Sequence, residues 1–183
     1  NGGAPVPNSV IVITGNRITA VGRAGQVQVP AGATVVDATG KWITPGLVDS
    51  MSVGNWMYGE AYLHWGVTSI VMNATVGEEG NAERDAINPG LYAGPRMFQT
   101  TIDVNGRELK SPEQARERAK EILAAGADVL GTDDGEAPPA YFAAYADEGH
   151  KAGKGGIMRC VGPQTRGKEC VLAQDRHPIV GHR

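Results

Sequence analysis

The sequence contains little cysteine. Cys160 and Cys170 are its two cysteines among 183 residues, and they lack the Cys-x-x-Cys spacing of zinc ribbons and redox motifs. A domain of this size does not depend on disulfides for its stability. We therefore expect both thiols to be reduced and to behave as small hydrophobic side chains.

Long basic or apolar runs are also absent. The formal net charge is −3, without a long basic run, which argues against nucleic acid as a partner. No apolar run is long enough to cross a bilayer, so we expect no membrane partner. Residues 1–7 lack the basic segment and apolar core of a signal peptide. The sequence predicts a soluble protein and leaves cytoplasmic and mature secreted locations open.

The first part of the chain is rich in β-branched residues and turn residues. Residues 9–13 are apolar, Gly15-Asn16 is a turn dipeptide, and residues 18–21 alternate, which together predict a hairpin. Further short strands are expected at residues 27–29, 34–37 and 42–44. Residues 1–44 are therefore predicted to form a small antiparallel β-domain, sandwich-like and incomplete. A sheet of this size is not stable alone.

After Pro45, segments of strand and helix character alternate, which predicts a parallel sheet or barrel. Strands are expected at residues 47–48, 67–72, 97–100, 127–130, 156–158 and 178–181. Helices are expected at residues 55–65, 82–87, 112–125, 138–152 and 165–173. The helix at 112–125 follows a capping box, with Ser111 as the cap and Pro112 at the first helical position. Residues 45–183 are thus predicted to form a second domain with six βα units.

Three stretches carry a family resemblance. Residues 44–53 read TPGLVDSMSV, residues 37–47 read DATGKWITPGL, and residues 84–98 read RDAINPGLYAGPRMF. They resemble the metal-dependent amidohydrolase superfamily, and its imidazolonepropionase- and prolidase-like branch in particular. The resemblance implies a partial TIM-type (β/α) barrel with a small antiparallel β-domain at the N-terminus. It also implies a hydrolase that acts on C–N bonds of small amides, cyclic amides or dipeptides.

The number of strands adds a second expectation. A closed barrel of this class needs eight βα units and typically about 250 residues, whereas the sequence predicts six strands. Six strands leave apolar edges exposed. We therefore expect that the chain belongs to a larger one, or that a second copy or another partner covers the edges.

The resemblance also implies a divalent metal, zinc in the first instance, held at the carboxyl ends of the strands. Its first two histidine positions hold Met51 and Val53, its lysine position holds Gly131, and its next ligand position holds Arg159. His182 stands at a remaining histidine position and is the one conventional ligand. Since one imidazole does not hold a catalytic metal, we expect this chain to bind none.

Other candidate ligands are expected to be ordinary surface residues. His64 and His150 fall on predicted helices, away from the strand ends, and His177 lies outside the ligand pattern. Asp133 and Asp134 follow the predicted strand 127–130 and are expected to form a solvated acidic loop.

Three hypotheses follow from these residues. The first is an active amidohydrolase or dipeptidase whose site is completed by further segments. The second is a family protein without metal or activity, retained as a scaffold or assembly protein or as a fragment. The third is that residue identities at the ligand positions are imperfect. The altered ligand positions favour the second hypothesis.

Overall fold

A computed structural model describes residues 4–52, 56–72, 78–100, 108–132 and 138–158. The expected helix at 165–173, the strand at 178–181 and both cysteines lie outside these residues. The chain divides into two compact units, Asn1–Thr44 and Pro45–Arg183. Within the described residues, no helix is both long and apolar enough to span a bilayer.

The first unit contains the predicted hairpin. Strand β1 (Ser9–Thr14) pairs antiparallel with β2 (Arg17–Arg23), with an irregularity in register between Val12 and Ile13. Gly15 occupies the turn with φ of +61°. That backbone conformation is easily reached by glycine, so the Gly15-Asn16 signal located the turn correctly.

The other strands expected in this unit are wrong. Residues 24–46 are described and contain no strand. Val35, Val36 and Trp42 are 80%, 83% and 78% exposed, so these side chains gain little of the packing that favours such residues in strands. Asp37 instead accepts hydrogen bonds from the backbone N–H and hydroxyl of Thr39 at 2.9 and 2.6 Å, a local turn that competes with strand pairing.

The second unit alternates strands and helices in the predicted order. Its strands are β3 (Leu47–Ser52), β4 (Val67–Met72), β5 (Arg96–Gln99), β6 (Val129–Thr132) and β7 (Gly155–Met158). Its helices are α1 (Gly59–His64), α2 (Glu78–Ile87), α3 (Pro112–Ala124) and α4 (Pro139–Lys151), and a short 3-10 turn (Trp56–Tyr58) precedes α1. The mixed α/β class predicted from the sequence is confirmed.

Pairing between the described strands of this unit is parallel. The order is β3-β4-β5 in one sheet and β6-β7 in another. Helix α2 begins at Glu78, four residues earlier than predicted. Strand β6 starts two residues later than predicted, since the N–H of Ala127 bonds the carbonyl of Ile122 in α3 and pairing with β7 begins at Val129.

Two apolar cores stabilise the second unit. One contains residues of α3, α4 and β6 together with Leu109 and Ala127, and the other contains Ile70, Met72, Ile87 and Met97. The predicted capping box starts α3, since the Ser111 hydroxyl accepts a hydrogen bond from the N–H of Gln114 at 3.1 Å. The cap and the buried face of α3 together fix where this helix lies against α4.

Helices α3 and α4 are also joined by charged side chains. The Arg116 guanidinium pairs with Asp147 and Glu148, and Lys151 pairs with both carboxylates at 3.0 and 2.8 Å. Hydrogen bonds from Arg116 and then Lys151 lower the pKa of Asp147 to about 2. Lys151, followed by Arg116, holds the pKa of Glu148 below its usual value.

These shifts predict a pH dependence of stability. Because the folded-state pKa of Asp147 is depressed, its contribution is complete above the unfolded pKa and is lost as pH falls toward 2. Substituting Arg116→Gln should therefore lower the melting temperature slightly at pH 6, and the difference from the unaltered chain should shrink near pH 2. Thermal unfolding across this range checks it, with Arg118→Gln, which breaks a pair inside α3, as control. A difference that stays constant down to pH 2 would contradict the assignment.

Candidate functional site

The carboxyl ends of the parallel strands define the candidate site. Parallel neighbours end at the same edge of a sheet, which is where ligands bind in α/β folds. Ser52 at the end of β3 is level with Met72 of β4, and Met72 is level with Gln99 of β5. In the second sheet, Thr132 of β6 is level with Met158 of β7.

Buried polar side chains collect at this edge. Among the described residues they are Ser52, Gln99 and Thr100, with 1%, 0% and 2% exposure. Ser52 and the hydroxyl of Tyr62 form a short hydrogen bond. The Thr100 hydroxyl donates to the carbonyl of Met72 at 3.1 Å, which joins β5 to β4 just beyond their last residues.

Gln99 is the least satisfied of the three. Its Nε2 donates to the sulfur of Met97 at 3.1 Å, and its buried Oε1 has no hydrogen-bond partner among the described residues. Sequence reasoning did not single out these residues. The available signal was their position, because each is a polar residue at or just after the carboxyl end of a strand.

The structure places two of the five predicted ligand positions. Met51 is the next-to-last residue of β3, and Gly131 is the next-to-last residue of β6. Val53, Arg159 and His182 lie outside the described residues, as do His177, Asp133 and Asp134. Whether all five positions come together therefore stays a prediction.

Gly131 illustrates what the strand ends offer a metal. It is buried, it has no side chain, and its carbonyl accepts a hydrogen bond from the hydroxyl of Tyr145 at 3.1 Å. Zinc requires imidazole, thiolate or carboxylate donors, and in the described part of the chain no group of three such side chains is arranged to hold a metal ion. The residues described at the strand ends therefore include no conventional zinc donor.

The described histidines lie on helices. His64 is the last residue of α1 and stacks edge-on against Trp65, with ring centroids 5.3 Å apart. His150 lies in the last turn of α4, and its carbonyl accepts a hydrogen bond from the N–H of Gly153 at 2.8 Å. Both therefore occupy helix ends, as the sequence predicted.

Comparison with known proteins gives matches in structure. No protein-family model matches the sequence, and no curated protein matches it significantly. The structure is similar to that of a proposed prolidase from Bifidobacterium longum, with a TM-score of 0.71 and 23% identity over 89% of this chain and 46% of that one. Phenylurea hydrolase B gives a TM-score of 0.68 and 22% identity over 95% and 54% of the two chains. Molinate hydrolase gives 0.68 and 22% over 86% and 50%.

These matches define the class of protein by its fold. The chain has the α/β fold of prolidase and amidohydrolase structures, and this fold agrees with the resemblance seen in the sequence. It spans about half the length of the structures it matches.

Proposed function

We propose that this chain is an amidohydrolase-family protein that binds no catalytic metal and does not hydrolyse C–N bonds as its sequence stands. The observation that supports this best is Gly131. A residue without a side chain, its carbonyl bonded to Tyr145, occupies a strand-end position of β6 for which the family resemblance implies a lysine ligand. The fold of the neighbouring structures supports the family part of the proposal.

The chemistry explains why these positions matter. A metal bound there would lower the pKa of a water molecule and polarise the carbonyl of an amide. A catalytic zinc takes about three ligands from the protein. The five positions offer a thioether, an aliphatic group, a bare backbone, a guanidinium and one imidazole, in the order Met51, Val53, Gly131, Arg159 and His182. His182 alone is a conventional donor, and Arg159 adds an unfavourable positive charge.

An active enzyme is the alternative proposal. In that case segments outside these 183 residues would complete the site, the chain would lie in a partial TIM-type barrel, and the substrate would be a small amide or dipeptide. The support for it is the likeness to a proposed prolidase and to a Xaa-Pro dipeptidase structure. If the chain is inactive, the function that we propose instead is that of a scaffold or assembly protein.

The proposal extends to a partner that covers exposed apolar residues. Strand β3 has β4 as its paired neighbour in the described structure, and its residues Leu47 and Val48 remain 60% and 52% exposed. Edge strands with exposed apolar residues favour pairing with another chain. A second copy of the chain or a separate polypeptide would bury them.

Metal analysis of the purified chain tests the proposal. We expect substoichiometric zinc, no rise in melting temperature when zinc is added, and no turnover of amides or dipeptides. The combined substitutions Met51→His, Val53→His, Gly131→Lys and Arg159→His should raise zinc uptake in a chain that also supplies the missing strands, whereas His182→Ala in the unaltered chain should change nothing. Stoichiometric metal, with turnover lost on chelation, would establish the active alternative instead. If the same preparation sediments as a stable monomer, the proposal that a partner covers the edge of β3 is wrong.

A further inference from the structure

The region after Pro45 contains a seam between β5 and β6. Strands β3, β4 and β5 pair in one sheet, and β6 and β7 pair in another. The two meet where the N–H of Asp128 donates to the carbonyl of Gln99 at 2.8 Å. We call residues 97–99 and 125–129 the β5–β6 seam.

Asn88 explains why pairing at the seam is short. Its Oδ1 accepts a hydrogen bond from the N–H of Met97 at 2.8 Å, and its Nδ2 donates to the Met97 carbonyl at 3.0 Å. Met97 pairs with Ile70 of β4 on its other side. The side chain of Asn88 thus takes the hydrogen-bonding groups of Met97 that a neighbouring strand would use, and β6 meets β5 only beyond that point.

Polar side chains hold the seam together. Asp128 Oδ2 accepts hydrogen bonds from the N–H of Gln99 at 3.1 Å and from Arg84 Nη1 at 2.9 Å. Arg84 Nη1 also donates to the carbonyl of Gly126 at 2.8 Å. The side chains of Arg84 and Asp128 are 15% and 26% exposed, so this charged bond is partly shielded from water.

The apolar contacts are divided in the same way. The core of α3, α4 and β6 and the core of α2, β4 and β5 are separate clusters. The cluster that contains residues from both sides consists of Val71 and Val129, with the half-buried Phe98 packed against it. Each side therefore buries a core of its own, and the contact between them depends largely on the polar bonds of the seam.

We propose that the elements β3 to β5 with α1 and α2, and the elements α3 to β7, are two cooperative folding units coupled through Asp128. Hydrogen bonds from Arg84 and Gln99 to Asp128 join the units, and the seam is the place where they separate. Gln99 and Gly131 belong to different units, so Asp128 also fixes how the strand ends of the candidate site stand relative to each other.

Native-state hydrogen exchange in a urea series tests this on the full chain. In the unaltered protein, amides of β4 and β6 should report the same opening free energy. In Asp128→Ala the two sets should diverge, with exchange in one unit faster by roughly tenfold or more relative to the other, since a charge-assisted bond between them is lost. A uniform change in both sets, or no change, would overturn the proposal.

Two further variants keep the test decisive. Arg84→Gln removes the bonds to Asp128 and to the Gly126 carbonyl and leaves the bond between Asp128 and Gln99 in place, so it should also make the two sets diverge. It decides the question if Asp128→Ala does not fold. Arg116→Gln removes an ion pair of similar type between α3 and α4, inside one unit. Because the seam stays intact, it should lower the opening free energies of β4 and β6 together, and a divergence like that expected for Asp128→Ala would also contradict the proposal.

Discussion

Substitution of Tyr145 by alanine is expected to lower the free energy of unfolding by about 3–5 kcal/mol, the usual cost of truncating a buried aromatic side chain. Tyr145 is fully buried in the core that contains Ile122, Leu130 and Phe142. Its hydroxyl donates to the Gly131 carbonyl at 3.1 Å. Truncation would leave a cavity and an unsatisfied carbonyl at the end of β6, and urea denaturation would measure the loss.

Two variants separate these causes. Tyr145→Phe keeps the ring and removes the hydroxyl, so it should cost about 1 kcal/mol for the lost hydrogen bond. Tyr141→Ala is the matched control, because Tyr141 lies one turn earlier in α4, is only partly buried, and donates to the carbonyl of Lys110 at 2.9 Å. A cost for Tyr141→Ala equal to that of Tyr145→Ala would show that burial of Tyr145 does not determine stability here.

Substitution of Gly59 by alanine is expected to be the second most damaging change. Gly59 is buried at the first position of α1. A Cβ there would overlap the carbonyl oxygen of Ala93 and lie 3.1 Å from the Cα of Gly94. Backbone atoms cannot rotate away as a side chain can, so the strain should cost about 1–3 kcal/mol or more in the free energy of unfolding.

Gly149→Ala provides the comparison. A Cβ on Gly149 would lie 2.9 Å from the Cδ1 of Leu130, the end of a flexible side chain that can move. Alanine is also favoured over glycine inside a helix by about 1 kcal/mol, which offsets the crowding in α4. Chemical denaturation should give Gly59→Ala a much lower free energy of unfolding than Gly149→Ala. Equal stabilities would refute the close approach of α1 to Ala93.

Several elements of both units were predictable because the sequence signals for them are local. Ser111 and Pro112 mark the start of α3 through groups within one helical turn, and the structure shows this cap. Gly15 marks the hairpin turn for a similar reason, since its backbone conformation needs no distant contact. Resemblance to amidohydrolases also depended on short motifs, and the fold of the neighbouring structures agrees with it.

The candidate site was predictable only in part. The family pattern placed Met51 and Gly131 just after the predicted strands 47–48 and 127–130, whereas the structure has each as the next-to-last residue of a strand that extends further. The sequence did not predict that Asp128 binds the backbone of Gln99. The two residues lie 29 positions apart, and hydrogen bonding at the end of β5 depends on that distant residue.

The sequence by itself determined the alternation of strands and helices, the hairpin turn, the helix cap and the absence of conventional ligands at Met51 and Gly131. These properties follow from side-chain chemistry and from contacts within a few residues. The tertiary structure alone decided that Val35 and Val36 form no strand, that Asn88 takes the pairing groups of Met97, and that Asp128 joins β5 to β6. Strand pairing needs a partner in the right register, and the sequence of one segment does not specify which distant residues will satisfy its backbone groups.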